Sequence, residues 1–254
     1  MTKHSTTSWE EGASWYNNIV GKDGHYYHKE LILPCALRLL KLQKQDSLLD
    51  LGCGQGILAR HIPKDIQYVG IDIAKSLIDH AKKYSQGQKS QKFLVSDITQ
   101  KLPLGEDELF SHAACLLALQ NVEHPELVLR NAASHLRQGA TFLLIINHPC
   151  FRIPRQSDWG FDEATKRIYR KMFCYKTPQR IPIETHPGKE KKIVTWSFHH
   201  PLESYFKWLH EAGLMVAGIE ELYSEKESIG KAAKLENRAR KEFPLFLAIR
   251  AKMM

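Results

Sequence analysis

Long apolar runs are missing from the 254-residue sequence. A membrane-spanning helix takes about 20 consecutive apolar residues, so no membrane partner is expected. The opening residues Met1-Thr2-Lys3-His4-Ser5 are polar and hold no apolar signal core, which makes a cytoplasmic location the expectation. Cysteine is scarce and odd in number, with five residues scattered at 35, 53, 115, 150 and 174. That spacing suits neither a disulfide framework nor a zinc site, and no metal is expected. Internal repeats and low-complexity tracts are lacking too, which excludes a solenoid. What remains, 43% hydrophobic and 25% charged residues, is ordinary for a globular chain long enough to bury a substantial core.

Strand and helix patterns alternate, as in a doubly wound α/β fold. Ser8-Trp9-Glu10-Glu11 has capping-box spacing, and Trp9, Ala13, Tyr16 and Val20 then recur at helical intervals until Gly21 and Gly24. A second apolar helix covers 31–40. Strands are expected at 47–49, 67–72, 92–97, 109–115 and 141–146. Between them stand a short helix from Ile57, a helix with Leu77, Ile78, Ala81 and Tyr84 on one face, and a third bracketed by Pro125 and Gly139. The next convincing helix begins only near Pro201, with Leu202, Tyr205, Phe206 and Leu209 as its apolar face. A connection of such length far exceeds the usual ~2 to 6 residues and reads as an insertion covering a substrate. A sixth strand at 214–219, a charged connection through 231–235 and a last strand at 245–249 complete the chain. The resulting division is a helical cap at 1–45, a core at 46–148, the insertion at 149–200 and the rest of the core at 201–254.

The run Leu49-Asp50-Leu51-Gly52-Cys53-Gly54-Gln55-Gly56 ends the first strand in a glycine-rich turn. Glycine permits a sharp turn and close backbone approach to a ligand. A dinucleotide fingerprint, G-x-G-x-x-G, would need its third glycine at Ile57, whereas the spacing here is G-x-G-x-G. Asp50 would repel a pyrophosphate but could pair with an ammonium. The second strand ends in Asp72, placed to accept from both hydroxyls of a ribose, and the third ends in Asp97.

This set of motifs resembles the class I (Rossmann-like) S-adenosylmethionine (SAM) methyltransferase superfamily, in its small-molecule type with a type 11 or type 12-like domain. The flanks Gly24-His25-Tyr26-Tyr27-His28, His148-Pro149-Cys150-Phe151-Arg152-Ile153-Pro154-Arg155 and Trp196-Ser197-Phe198-His199-His200-Pro201 look like a bacterial subgroup of it. The resemblance implies a seven-stranded, mostly parallel sheet whose antiparallel last strand lies between strands five and six. N-terminal helices would cover the cofactor. It implies SAM as cofactor and S-adenosyl-L-homocysteine (SAH) as product. Asp97 would receive the adenine amino group, and the stretch from Leu116 to Val122 would run under the cofactor, with Gln120 where the family often has His or Gln. The expected cofactor residues are Asp50, Gly52, Cys53, Gly54, Gln55, Gly56, Asp72, Ile73, Asp97, Ile98, Leu116, Leu117 and Gln120.

The insertion carries much of the net charge of +8, with eleven Lys and Arg against five Asp and Glu over 151–200. Such an excess favours an anionic substrate or a phosphate backbone. Lys189, Lys191 and Lys192 read as solvated surface. Arg152 and Arg155 leave the carboxyl end of strand five, where open α/β sheets bind ligands, and could fork onto a carboxylate or phosphate. If the acceptor needs a base, His148 is the first candidate, His199 or His200 the second and the segment from His25 to His28 the third. His200 before Pro201 also suits a helix cap. Trp159, Trp196 and Tyr175 suit the wall of a pocket for a flat substrate or the insertion's own small core. Tyr27, His28, Arg152, Arg155, Trp159 and His200 make up the expected substrate side.

The function expected is methyl transfer to a small acceptor, aromatic or anionic in kind, by a monomer or weak homo-oligomer. Oxygen, carbon and nitrogen acceptors stay open. RNA is the second choice of acceptor, because no RNA-binding module or aromatic-basic stripe is evident. Pro149-Cys150 resembles part of the RNA cytosine-C5 methyltransferase pattern, but that family's second Pro-Cys is missing. The Asn/Asp-Pro-Pro-aromatic motif of amide and adenine N-methyltransferases is absent as well. A SAM-binding protein without transferase activity is the third reading.

Overall fold

A computed structural model describes residues 9–22, 24–184 and 194–254. Ser8 of the capping box and Lys189, Lys191 and Lys192 lie outside these residues. In chain order the elements are α1 (Ala13–Val20), α2 (Leu33–Leu40), β1 (Ser47–Leu51), β2 (Gln67–Asp72), α3 (Lys75–Tyr84), β3 (Gln91–Val95), β4 (Phe110–Leu116), α4 (Pro125–Ser134) and β5 (Leu136–Asn147). The insertion forms β6 (Ser157–Asp162), β7 (Arg167–Met172), β8 (Gln179–Glu184) and β9 (Val194–His199), and the chain ends in α5 (Leu202–Glu211), β10 (Leu214–Leu222), α6 (Ala233–Glu242) and β11 (Phe246–Met253).

The central strands are apolar on both faces and therefore need cover on both. Along β1, Leu48 packs into one core with α2 and α3, while Leu49 and Leu51 pack into another with α4 and α5. In β5, Leu143 and Ile145 join the first core, and Phe142, Leu144 and Ile146 the second, the period-two alternation of a strand buried on both sides. The sheet order is β10-β11-β5-β4-β1-β2-β3. β1 pairs in parallel with β2 and β4, and β11 runs antiparallel between β5 and β10. This is the sheet that the resemblance to class I methyltransferases implies, with its antiparallel last strand between strands five and six.

The structure departs from the sequence reading at four places. Residues 57–62 form successive turns instead of a helix. His61 Nδ1 lies 2.9 Å from the Ile57 carbonyl oxygen that a helical His61 N–H would use, and Pro63 disfavours helical backbone at Ile62. α4 stops at Ser134, well short of Gly139, because the His135 carbonyl accepts from Phe110 N (2.8 Å) and draws the chain into β5. The charged connection after β10 contains α6, a helix the sequence reading missed. Its Glu236–Arg240 pair spans one turn, and Ser228 at its foot bonds Glu236, Asn237 and Arg240. A π-helical turn, His28–Ile32, precedes α2.

The insertion builds two separate antiparallel hairpins, β6–β7 and β8–β9. The first leans on α6 through an edge-on Trp159–Phe243 contact (5.4 Å), and the second packs beside the 3-10 turn Leu119–Asn121, with Ser197 Oγ donating to Gln120 O. His200 does not cap α5. Pro201 holds the N-cap position without a side-chain bond, and the His200 ring stacks edge-on against Trp208 at 4.9 Å.

Gly56 and Gly139 share a left-handed backbone (φ +72° and +76°), but a Cβ at Gly56 would stand 2.9 Å from the Phe93 ring, whereas at Gly139 it would meet open space. Gly139→Ala should cost about 1–2 kcal/mol from backbone strain. Gly56→Ala should cost about 1–3 kcal/mol more from overpacking. Urea midpoints check this, and equal losses would show that Phe93 yields freely.

Candidate functional site

The site grows from the turn that follows β1. Gly52 N and Cys53 N both donate to the Ile71 carbonyl of β2, at 2.8 and 3.1 Å. At Gly52 (φ +74°) a Cβ would fall 2.4 Å from the Ala118 Cβ, so this glycine is required by the approach of the turn after β4. Asp72 then fastens the turn. Its Oδ2 accepts from Gly54 N and its Oδ1 from Ala74 N at the head of α3, both at 2.9 Å. Burial raises the Asp72 pKa, and the donated N–H groups oppose that rise.

A cavity of about 300 Å³ opens above the carboxyl ends of β1 to β4. Gly52 and Gly54 form its floor, Asp72 and Ile73 come from β2 and its end, and Asp97, Ile98 and Thr99 follow β3. Leu116, Leu117 and Ala118 from the end of β4, then residues 121–124, close another side, and Trp9, Tyr16 and His28 cover it from the N-terminal cap. Asp97 Oδ1 accepts from Thr99 N and Oγ1 at 2.9 and 2.8 Å. Leu117 takes φ +55°, a conformation a branched side chain rarely adopts, and its carbonyl accepts from Gln120 Nε2 at 2.9 Å. Among the described residues three acids, Asp72, Asp97 and Glu123, line the cavity, and no Lys or Arg does.

The expected cofactor residues thus divide. Gly52, Gly54, Asp72, Ile73, Asp97, Ile98, Leu116 and Leu117 face the cavity. Asp50, Cys53, Gln55, Gly56 and Gln120 stand behind it. Gln55 Nε2 ties the turn to Gly21 O, and Gln120 braces Leu117; the Oε1 of each is buried without a partner. Asp50 accepts from the Tyr68 hydroxyl at 2.6 Å, and burial pushes its carboxyl up to about 7 against that bond. Burial also holds the Cys53 thiol well above its ordinary range.

The expected catalytic histidines sit elsewhere. His148 is buried, its Nε2 3.0 Å from Glu221 Oε1 and its Nδ1 accepting from Cys150 N, so both ring nitrogens are occupied by the protein. His199 is buried with Nε2 2.6 Å from the Tyr175 carbonyl. His28, the later choice, is the one that lines the cavity; its Nδ1 is buried and unpartnered, and burial lowers its pKa to about 4. Of the other expected substrate residues, Trp159 packs on Phe243 and Arg170, and Arg155 is exposed in left-handed backbone (φ +59°). Tyr27 and Arg152 gather with Phe246 at the start of β11, the guanidinium 5.9 and 5.0 Å from the two rings. Among the described residues, none of the insertion lines the cavity. Trp9, Tyr16, Thr99, Glu123 and His124 were not foreseen as its walls. The helical spacing of Trp9 and Tyr16 was visible, but it reads equally well as a core stripe.

Residues 49–144 match the family model described as "Methyltransferase domain". The chain is 30% identical over 114 residues to the ubiquinone biosynthesis O-methyltransferase of Coxiella burnetii, covering 43% of this chain and 48% of that protein. It thus spans about half the length of that curated relative. It is 27% identical over 210 residues to the carboxy-S-adenosyl-L-methionine synthase of Desulfotalea psychrophila, covering 74% and 82% of the two chains. Among solved structures, a SAM-dependent methyltransferase from Mesorhizobium loti superposes with a TM-score of 0.66 at 23% identity, over 91% of this chain and 100% of the other.

The Asp50 carboxyl yields a pH test. It stays protonated in the folded chain up to about pH 7, whereas the unfolded chain ionises near 3.8, so the native state loses stability as pH rises through that window. Asp50→Asn removes this loss. Relative to the parent, the variant should gain up to about 4 kcal/mol between pH 4 and pH 8, measured by urea unfolding at each pH. A stability difference constant across those pH values would mean that Asp50 ionises normally.

Proposed function

We propose that this chain, which carries a class I methyltransferase domain, transfers a methyl group from SAM to a small acceptor, aromatic or anionic in kind. The observation that carries the reading is the acidic cavity above β1 to β4. A pocket lined, among the described residues, by three carboxylates and no Lys or Arg repels a pyrophosphate and suits a ligand bearing an ammonium and a sulfonium. Asp72, held by the backbone N–H groups of Gly54, Ala74 and Ile73, keeps acceptor capacity for a ribose hydroxyl, and Asp97 Oδ2 is left for an adenine amino group. Ile73, Ile98 and Leu117 supply apolar walls for a base. When bound, SAM supplies a methyl already activated on sulfur, which leaves the protein to align the acceptor and exclude water.

His28 is the side chain suited to receive a proton or a hydrogen bond from the acceptor. It is uncharged at neutral pH, it belongs to the lining of the cavity, and its buried Nδ1 has no partner within the protein. His148 and His199 act as struts that hold the end of β5 and the end of β9. The insertion covers the acceptor side, beyond β5. The likeness to an O-methyltransferase supports a small-molecule acceptor. RNA is the second reading, because on the β6–β7 hairpin Lys171 and Arg167 stand directly opposite Asp158 and Asp162, which leaves that hairpin little surplus charge. Action in the cytoplasm, as a monomer or weak oligomer, is part of the proposal; among the described residues no helix is long and apolar enough to cross a membrane.

Calorimetry with SAM and SAH, followed by methyl-release assays on small-molecule pools and on bulk RNA, tests the proposal. Binding with turnover confined to small molecules is expected. Turnover on RNA would replace the acceptor class, and binding without turnover on either pool would leave a SAM-binding protein. Asp72→Ala should weaken SAM at least about 100-fold, the loss of two charge-assisted bonds. Near-parent affinity would remove Asp72 from the ribose role.

A further inference from the structure

Beside the acidic cavity, on the β5–β11–β10 side of the sheet, the charges change sign. Arg152 follows β5, its backbone held by Arg152 N donating to His148 O at 2.8 Å. Lys226 lies in the connection after β10. The Arg152 guanidinium and the Lys226 ammonium approach the same ring, that of Tyr27, at 5.9 and 4.9 Å from its centre, and Lys226 also sits 4.4 Å from the Tyr26 ring. Among the described residues neither cation makes an ion pair, and Arg152 Nη1 is buried with no acceptor. Arg170 adds a third positive charge near Arg152, and its own donors are spent on Phe151 O and Ser157 Oγ. Glu30 and Glu225 act on Tyr26, and Glu221 is engaged by His148 and Tyr223.

A largely buried guanidinium without a counter-charge is costly and uncommon, and ring faces compensate it only in part. An anion would complete it. Aromatic rings stand between this cluster and the cavity, since His25 lies 5.4 Å from Tyr27 and 6.3 Å from His28, which lines the cavity.

We propose that Arg152 and Lys226 form the carboxylate-binding subsite of the methyl acceptor, with the acceptor's flat ring lying along Tyr27 and His25 toward His28. This rests on the methyl-transfer reading of the neighbouring cavity. Arg152 offers a planar fork matched to a carboxylate, and Lys226 a second charge from the opposite loop. Specificity then follows from charge, because a neutral analogue would leave the Arg152 donors unpaired.

The test is calorimetry on the full chain, with and without SAH, using 4-hydroxybenzoate, the uncharged 4-hydroxybenzamide and phenyl phosphate as probes. 4-Hydroxybenzoate should bind at least about tenfold more tightly than the amide, and more tightly than phenyl phosphate. Arg152→Gln and the solvent-exposed Lys226→Gln should each weaken it about tenfold while SAH affinity holds, and Lys171→Gln should change nothing. Equal binding of acid and amide, no binding of the acid, or parent-like affinity in both variants would overturn the subsite. Tighter binding of phenyl phosphate would overturn the carboxylate assignment. Loss of SAH binding in the parent chain would instead strike the methyl-transfer reading, since the acid can be titrated without SAH.

Discussion

The carboxylate of Asp72 is the interaction on which the site depends. One oxygen accepts from Gly54 N and the other from Ala74 N, so one side chain at the end of β2 fixes both the glycine turn after β1 and the start of α3. Carboxylate bonds to backbone N–H groups are charge-assisted and strong where water is scarce. With the turn held, Gly52 can press against Ala118 and draw the end of β4 beneath the cavity. The cavity is therefore a property of strand ends in fixed register, consistent with ligand binding outside the carboxyl ends of strands in open α/β sheets.

Charge is segregated around this frame. Asp72, Asp97 and Glu123 face the cavity, while Arg152, Arg170 and Lys226 gather past β5. Burial raises the Asp72 pKa and holds Asp50 near 7, so the carboxylates beneath the turn are short of positive charge, while Arg152 on the other side is short of negative charge. A cationic donor and an anionic acceptor would each answer one deficit. Their mutual attraction across His28 and His25 would favour productive alignment over either ligand binding alone.

Much of the frame was legible in the sequence because strands buried on both faces leave a continuous apolar signature, and because Gly52 follows one and Asp72 ends another, while Asp97 follows the half-exposed edge strand β3. The turns at 57–62 were not legible, since Ile57-Leu58-Ala59 looks helical until the His61 ring takes the Ile57 carbonyl. α6 escaped because Ala239 is its one buried residue, leaving almost no apolar stripe to read. Histidine was the least legible type. His148 at the end of β5 has the right address for a base, but only the fold reveals that Glu221 and Cys150 N already hold its two nitrogens.

Lys226 was illegible for a topological reason. In the sequence it stands in a run of mixed charge, remote from Arg152, and nothing local marks it. The antiparallel β11 starts at the edge where β5 and β10 stop, with Phe246 opposite Asn147 on one side and Leu222 on the other. The chain leaving β5, the chain leaving β10 and the first residue of β11 must therefore meet at one end of the sheet. Tyr27 packs edge-on against Phe246 at 5.6 Å, which places an aromatic face from the N-terminal cap at that meeting point. The Arg152 N–H to His148 carbonyl bond anchors Arg152 before the hairpins of the insertion begin, so their length does not displace it. The antiparallel last strand, set between β10 and β5, is what brings two distant cations onto one ring beside the cavity.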